Sequence, residues 1–208
     1  MSATGPTSMD RFTSAERLVH RSVAVLMGVC IVTAAILYNG SIAVLIGHRH
    51  LVELVHVWSG LALPVPMLLG AASAAYRFDV RRLNRFTHDD WRWLRSRSRR
   101  DGAIAVGKFN AGQKVNAWLV TGSTMVLLGT GTVMYWTGLV QLTWRSGATF
   151  VHDWFALGLG LLVIGHIGYA LKDPEARRGM RTGRVSTSWA RTEHEAWVGE
   201  MQTADDDV

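Results

Sequence analysis

Charged and apolar positions are segregated along this chain. Four long runs contain no Asp, Glu, Lys or Arg: roughly Ser22–Gly47, Leu54–Tyr76, Val115–Trp144 and Trp154–Leu171. The first three exceed the ~20 residues that a helix needs to cross the hydrocarbon core, and the fourth reaches that length once Thr149–His152 are added. A helix in a water-soluble core is rarely uncharged for so long. The pattern predicts an all-α integral membrane protein, a bundle of four transmembrane helices. The expected spans are about 20–46, 53–76, 114–138 and 148–171, with a basic loop over 77–113 and a tail over 172–208. Pro64 and Pro66 are expected to kink the second span, a break that neighbouring helices tolerate in a bilayer. A chain of 208 residues reads as a single domain, 1–208. The first span is too long, and lacks a small-residue cleavage site, to be a cleaved leader.

Charge then fixes the expected orientation. The stretch between spans two and three holds eleven Lys and Arg: Arg77, Arg81, Arg82, Arg85, Arg92, Arg95, Arg97, Arg99, Arg100, Lys108 and Lys114. Arg11, Arg17 and Arg21 precede span one, and six more cations follow span four. The remaining two loops carry only Arg49 and Arg145. The positive-inside bias puts both termini and the middle loop in the cytoplasm. The net charge of +6 is then accounted for by orientation and by anionic headgroups, without nucleic acid. The segment HDDWRWLRSRSRR reads as a short helix on the inner surface, with Trp91 and Trp93 at headgroup depth. Trp58, Trp136, Trp144 and Trp154 fall at or near span ends, as an aromatic belt requires. The lone cysteine, Cys30, lies within span one and reads as packing, which excludes a disulfide framework and a thiolate cluster.

The histidines carry the chemistry. His152 and His166 lie fourteen residues apart on the fourth span. That spacing turns a helix through about 1400°, close to four full turns, and rises roughly 21 Å. Both imidazoles therefore leave the same face at two depths. His20 starts span one at the inner side, and His56 starts span two at the outer side. Depth pairs His56 with His152 and His20 with His166, the arrangement a bundle needs to hold two bis-histidine haems about 20 Å apart. Glycines beside them, Gly60, Gly158, Gly160, Gly165 and Gly168, would admit a porphyrin plane, although glycines also permit close helix packing. His48, His50, His88 and His194 have no role that spacing alone defines.

One short segment is unlike ordinary membrane sequence: GKFNAGQK, Gly107–Lys114. Together with Arg11-Phe12, Glu16-Arg17-Leu18-Val19-His20, Leu54-Val55-His56 followed by Gly60, the His152/His166 pair and the tail Met180–Trp197, it resembles the cytochrome b (gamma) subunit of respiratory formate dehydrogenases. The resemblance covers most of the chain. In the tail, that family often has a double histidine where this chain has Glu193-His194. The four histidines alone would also suit the cytochromes of hydrogenases and thiosulfate reductases, or a free-standing quinone-linked di-haem cytochrome b.

The resemblance implies two haem b groups with His20, His56, His152 and His166 as axial ligands of the iron. It implies partners too: an iron–sulfur subunit, a molybdenum or tungsten catalytic subunit, and a higher-order oligomer of the complex, in the bacterial cytoplasmic (inner) membrane. Electrons would enter at the outer haem and reach a quinone, menaquinone or ubiquinone, near the cytoplasmic face. Asn110 and Gln113 can donate to a quinone carbonyl, and Gly112 lets the backbone approach. By resemblance, Asn110 and the rear of His166 line that pocket. Glu16 is either a proton relay or a helix-start carboxylate satisfied by the dipole or by Arg17. Arg17, Lys108 and Lys114 could pair with haem propionates or simply snorkel at the interface. The competing readings are a haem-free anchor, which leaves the paired histidines unexplained, and a transporter, for which the deep charges and inverted repeat are missing.

Overall fold

The structure is a computed structural model that describes residues 7–97 and 104–206. Its elements, in chain order, are β1 (Ser8–Asp10), α1 (Ser14–Tyr38), α2 (Gly40–Ile46), α3 (Arg49–Ala62), α4 (Pro64–Gly70), α5 (Ala74–Asn84), α6 (His88–Arg95), α7 (Ala111–Tyr135), α8 (Leu142–Lys172), α9 (Pro174–Thr182), β2 (Arg184–Ser186), α10 (Thr187–Glu193) and α11 (Glu195–Asp206). Four helices are long and apolar enough to cross a membrane: Ser14–Tyr38, Arg49–Gly70 (α3 running into α4), Ala111–Tyr135 and Leu142–Lys172. The number and order match the expectation.

The ends differ from it, for local reasons. Helix α1 starts at Ser14 because Thr13 and Glu16 form a capping box. The Thr13 backbone N–H donates to Glu16 Oε2 at 2.6 Å, and the Glu16 N–H donates to Thr13 Oγ1 at 3.4 Å. The first span stops at Tyr38 because Asn39 leaves the helix and caps α2 through its side chain, accepting from the Ile42 N–H. Gly47, at φ +73°, then closes α2 in the left-handed region. The predicted break in span two falls at Leu63, where Pro64 opens α4 without an N–H to give. Ser73 caps α5, so the predicted end at residue 76 lies inside a separate helix.

The chain divides into two compact units. The first, Leu18–Ala72 with Leu119–Gly165, holds most of the spanning segments. Met27, Leu63 and Leu159 form its packed centre, joined by partly buried Val23, Leu26, Ile31, Val120, Leu127 and Val163. Outside that seam the helices are apolar and exposed, with Val44, Leu45, Leu68, Leu161 and Ile164 among the exposed residues. A surface like this needs lipid rather than water against it. Trp58, Trp136, Trp144 and Trp154, expected in the aromatic belt, are all exposed.

The second unit consists of the described residues of Met1–Arg17, Ser73–Trp118 and His166–Val208. Its centre is Val185, Ala190, Trp197 and Val198, with Met9 and Trp189 packed against them. β1 and β2 form a short antiparallel clip with Met9 opposite Val185. Of the expected HDDWRWLRSRSRR helix, α6 forms the first eight residues, capped by Thr87 and Asp90, and it ends at Ser96, whose backbone is extended. The end of the basic run, residues 98–100, lies outside the described residues. Trp91 is exposed, whereas Trp93 packs over Gly112.

Gly183 ends α9 at φ +92°, and its carbonyl accepts from the N–H groups of both Arg11 and Phe12. A Cβ there would sit 2.6 Å from the Phe12 carbonyl oxygen. Gly183→Ala therefore adds a steric clash to a left-handed backbone, at a cost of about 1–3 kcal/mol. Loosening of the clip should appear as faster amide exchange at Arg11 and Phe12; unchanged exchange would show that the backbone yields without cost.

Candidate haem and quinone sites

His56 and His152 meet. His56 comes from the second turn of α3 and His152 from α8, and their ring centroids are 6.3 Å apart with planes at 68°. Each ring is fixed by a threonine on a helix that supplies no histidine to the pair. Thr33 Oγ1 on α1 lies 2.9 Å from His56 Nδ1, and Thr130 Oγ1 on α7 lies 2.9 Å from His152 Nδ1. Both hydroxyl protons are committed elsewhere: Thr33 donates to the Val29 carbonyl at 2.7 Å and Thr130 to the Val126 carbonyl at 2.8 Å. With each hydroxyl proton assigned to its backbone carbonyl, the oxygen is left to accept from the ring. Nδ1 then carries the hydrogen in both imidazoles, and Nε2 carries the free lone pair.

That geometry suits one iron between two imidazoles. Metal–nitrogen bonds of about 2.0 Å, plus about 1.1 Å from each ring nitrogen to its centroid, sum to about 6.2 Å. The observed 6.3 Å matches this span. Gly131 leaves room for the His152 ring, because a Cβ on it would lie 3.3 Å from Cε1 and 3.7 Å from Nδ1. Cys30 packs here as expected, with Sγ 3.9 Å from the His56 carbonyl and 4.0 Å from a Cβ placed on Gly60. Thr33, Thr130 and Gly131 were not found from sequence. A threonine in an apolar run and a Gly-Thr-Gly step carry no signal until the facing helix is known.

The other two candidate ligands belong to different units. His20 lies on α1 in the unit of the spanning segments, and His166 lies on α8 in the other, fourteen residues beyond His152 on one continuous helix.

The second unit gathers the remaining candidates. Asn110 and Gln113 cap α7 reciprocally: the Gln113 N–H donates to Asn110 Oδ1 and the Asn110 N–H to Gln113 Oε1, both at 2.9 Å. Both side-chain oxygens are thereby used, which turns the two amide NH₂ groups into the donors available to a carbonyl. Gly112 is required by packing. A Cβ there would lie 3.2 Å from Trp93 Cη2 and 3.3 Å from Asn110 Oδ1.

Lys108 is buried between two carboxylates, with Nζ 2.5 Å from Asp79 Oδ2 and 3.4 Å from Glu16 Oε1. Glu16 thus serves the capping box with one oxygen and Lys108 with the other. Burial, and then the neighbouring Glu16, push the Asp79 carboxyl up to about 7, against the pull of Lys108. Lys114 is likewise buried, 2.6 Å from Asp90 Oδ2 and 2.9 Å from the Arg85 carbonyl. Arg17 donates to the Arg181 carbonyl at 2.9 Å and to Ser14 Oγ at 3.1 Å.

The two segments singled out by resemblance prove to be in contact. His194 Nδ1 is 2.7 Å from the Gly107 carbonyl, and the Trp197 N–H donates to the Val106 carbonyl at 3.4 Å. Arg11 lies between the rings of Trp189, Phe12 and Trp197, at 4.7, 5.2 and 5.6 Å, and donates to the Lys108 carbonyl at 2.8 Å. Burial lowers its guanidinium to about 10. The tail motif therefore clamps the loop that opens α7.

The chain is 29% identical over 103 residues to the cytochrome b556(Fdn) subunits of the nitrate-inducible formate dehydrogenases of Escherichia coli and Shigella flexneri. The aligned region is 48% of this chain and 48% of each relative, so the chain spans about half the length of the curated relatives it matches. Residues 11–183, which include the four candidate ligands and the GKFNAGQK segment, match a single family, and the chain belongs to it: the prokaryotic cytochrome b561 family.

Proposed function

We propose that this membrane cytochrome b is the di-haem anchoring subunit of a formate dehydrogenase-type complex, which passes electrons to quinone. The single observation that carries the reading is the His56–His152 pair, with centroids at the iron-spanning distance and both Nδ1 atoms turned to threonine. His56 and His152 would hold the iron of the outer haem, and His20 and His166 are the residues that would serve the inner one, a reading supported by the fourteen-residue step from His152 to His166 on α8. When bound, the haems supply one-electron transfer between an iron–sulfur partner and the quinone. The similarity to subunits of nitrate-inducible formate dehydrogenases supports membrane-associated partners, and we take these to be that iron–sulfur subunit and a molybdenum or tungsten catalytic subunit. The positive-inside bias supports cytoplasmic termini in the prokaryotic cytoplasmic membrane.

The chain's own residues do the rest. The amide NH₂ groups of Asn110 and Gln113 donate to a quinone carbonyl, at a turn held rigid by the capping box and by Trp93 on Gly112. Asp79, held up to about 7, carries an exchangeable proton beside Lys108, and Glu16 is the neighbouring carboxylate placed to receive it, within the unit that carries Asn110. Arg17, Lys108 and Lys114 are the cations available to propionates, in competition with the partners they already have.

The test is purification from membranes with haem supplied, a reduced-minus-oxidised spectrum, and then quinol addition. Two b haems per chain that are reduced by menaquinol or ubiquinol support the reading. Haem-free protein would leave a bare anchor. Haem without co-purifying catalytic subunits would favour a free-standing quinone-linked cytochrome. Asn110→Ala should slow quinol-driven reduction by about tenfold, the loss of a hydrogen bond worth roughly 1.4 kcal/mol, while dithionite-reducible haem is unchanged.

A further inference from the structure

We infer that Thr33 and Thr130 are a matched pair of positioning residues that set the electron affinity of the outer haem by fixing and polarising both of its axial imidazoles. The inference rests on the haem reading above.

Two independent helices supply the same device. On α1 the chain of hydrogen bonds runs from His56 Nδ1–H to Thr33 Oγ1 and on to the Val29 carbonyl, at 2.9 and 2.7 Å. On α7 it runs from His152 Nδ1–H to Thr130 Oγ1 and on to the Val126 carbonyl, at 2.9 and 2.8 Å. The hydroxyls have secondary acceptors as well, Cys30 at 3.1 Å and Leu127 at 3.3 Å.

A threonine that only bonded back to its own helix would need no histidine. A buried imidazole needs a partner for its N–H in any case, and here both rings take it from a threonine on a helix that supplies neither histidine of the pair. The coincidence at both rings calls for a common cause. An acceptor at Nδ1 does two things for a metal-binding imidazole: it selects the tautomer with a free Nε2, and it makes that nitrogen a stronger donor. Because each threonine proton is itself held by a carbonyl, the chain is polarised in one direction and the effect grows along it. Stronger donation from both axial positions favours the oxidised iron, so the pair lowers the outer potential.

Isosteric Thr33→Val and Thr130→Val remove the hydroxyl acceptor and keep the volume, leaving only the backbone carbonyls of Cys30 and Leu127 beside the rings, whereas Thr33→Ser and Thr130→Ser keep the hydroxyl. Redox titration of purified, haem-loaded protein reads the outcome. Each valine variant should raise the ferrous-to-ferric ratio of one haem about tenfold at fixed poise, a positive shift of about 59 mV for one electron. The other haem should not move, and both serine variants should titrate like the parent. Haem content reports separately on binding. The inference is overturned by haem-loaded valine variants with unshifted potentials, or by serine variants that shift as far as valine. Loss of haem from valine and serine variants alike would show that the threonines merely pack. A parent protein without haem would remove the proposed function itself, and this inference with it.

Discussion

His56→Ala and His152→Ala should each remove one of the two haems and leave the other spectrally intact. The expectation follows from the pair's geometry. The ring centroids are 6.3 Å apart with planes at 68°, and each ring would offer an iron between them one nitrogen. Haem quantified per chain should fall by half in either variant, and the double variant should fall no further. That lack of additivity is the decisive result, because two ligands of one iron act as a unit. A double variant that loses all haem would mean that the two histidines serve different groups. Folding can be monitored in the same samples: the packed centre at Met27, Leu63 and Leu159 does not include either ring, so helicity should persist.

The spans and the histidine pattern could be read from sequence because both are periodic and local. An uncharged run of this length leaves a helix few other places to be, and fourteen residues on a helix define a face. What escaped is what depends on a second segment. Lys108 and Lys114 stand out as cations near a membrane face, yet their partners Asp79 and Asp90 lie 29 and 24 residues earlier. No pattern in sequence joins them. Nothing in the sequence joins Gly112 to Trp93, which lies within 3.2 Å of where a Cβ on Gly112 would sit. Asn110 and Gln113 form a capping box whose spacing was visible, but their polar chemistry drew the eye to a substrate first. The β1–β2 clip involves three residues on each side, too few for any alternation to register. Thr33 and Thr130 are a purer case, since only the fold reveals that each faces a ring.

Lys108→Met should be the most destabilising change outside the histidines. Glu16, Asp79 and Lys108 are all less than a tenth exposed, so removing the ammonium leaves the ionised Glu16, with Asp79 beside it, buried without a cation. Breaking a buried pair in this way costs about 3–5 kcal/mol. The groups around it do not make up the loss. Arg82 reaches only to 4.0 Å from Asp79 and is already held by Glu200 at 2.6 Å, and Arg11 is committed to its three rings and the Lys108 carbonyl. Asp79→Asn added to Lys108→Met should recover much of the stability, because a neutral amide needs no counter-ion. The pH dependence has a definite sign. Asp79 sits at about 7 in the folded chain against 3.8 for the unfolded residue, so the native state holds more protons between those values. Its contribution is fully present below about 3.8 and is lost as pH rises through about 7. Thermal unfolding in detergent should therefore show a parent that loses stability from pH 6 to pH 8, and Asp79→Asn should flatten that slope. A parent and an Asp79→Asn variant with the same slope would mean that Asp79 is ionised throughout and holds no proton to pass on.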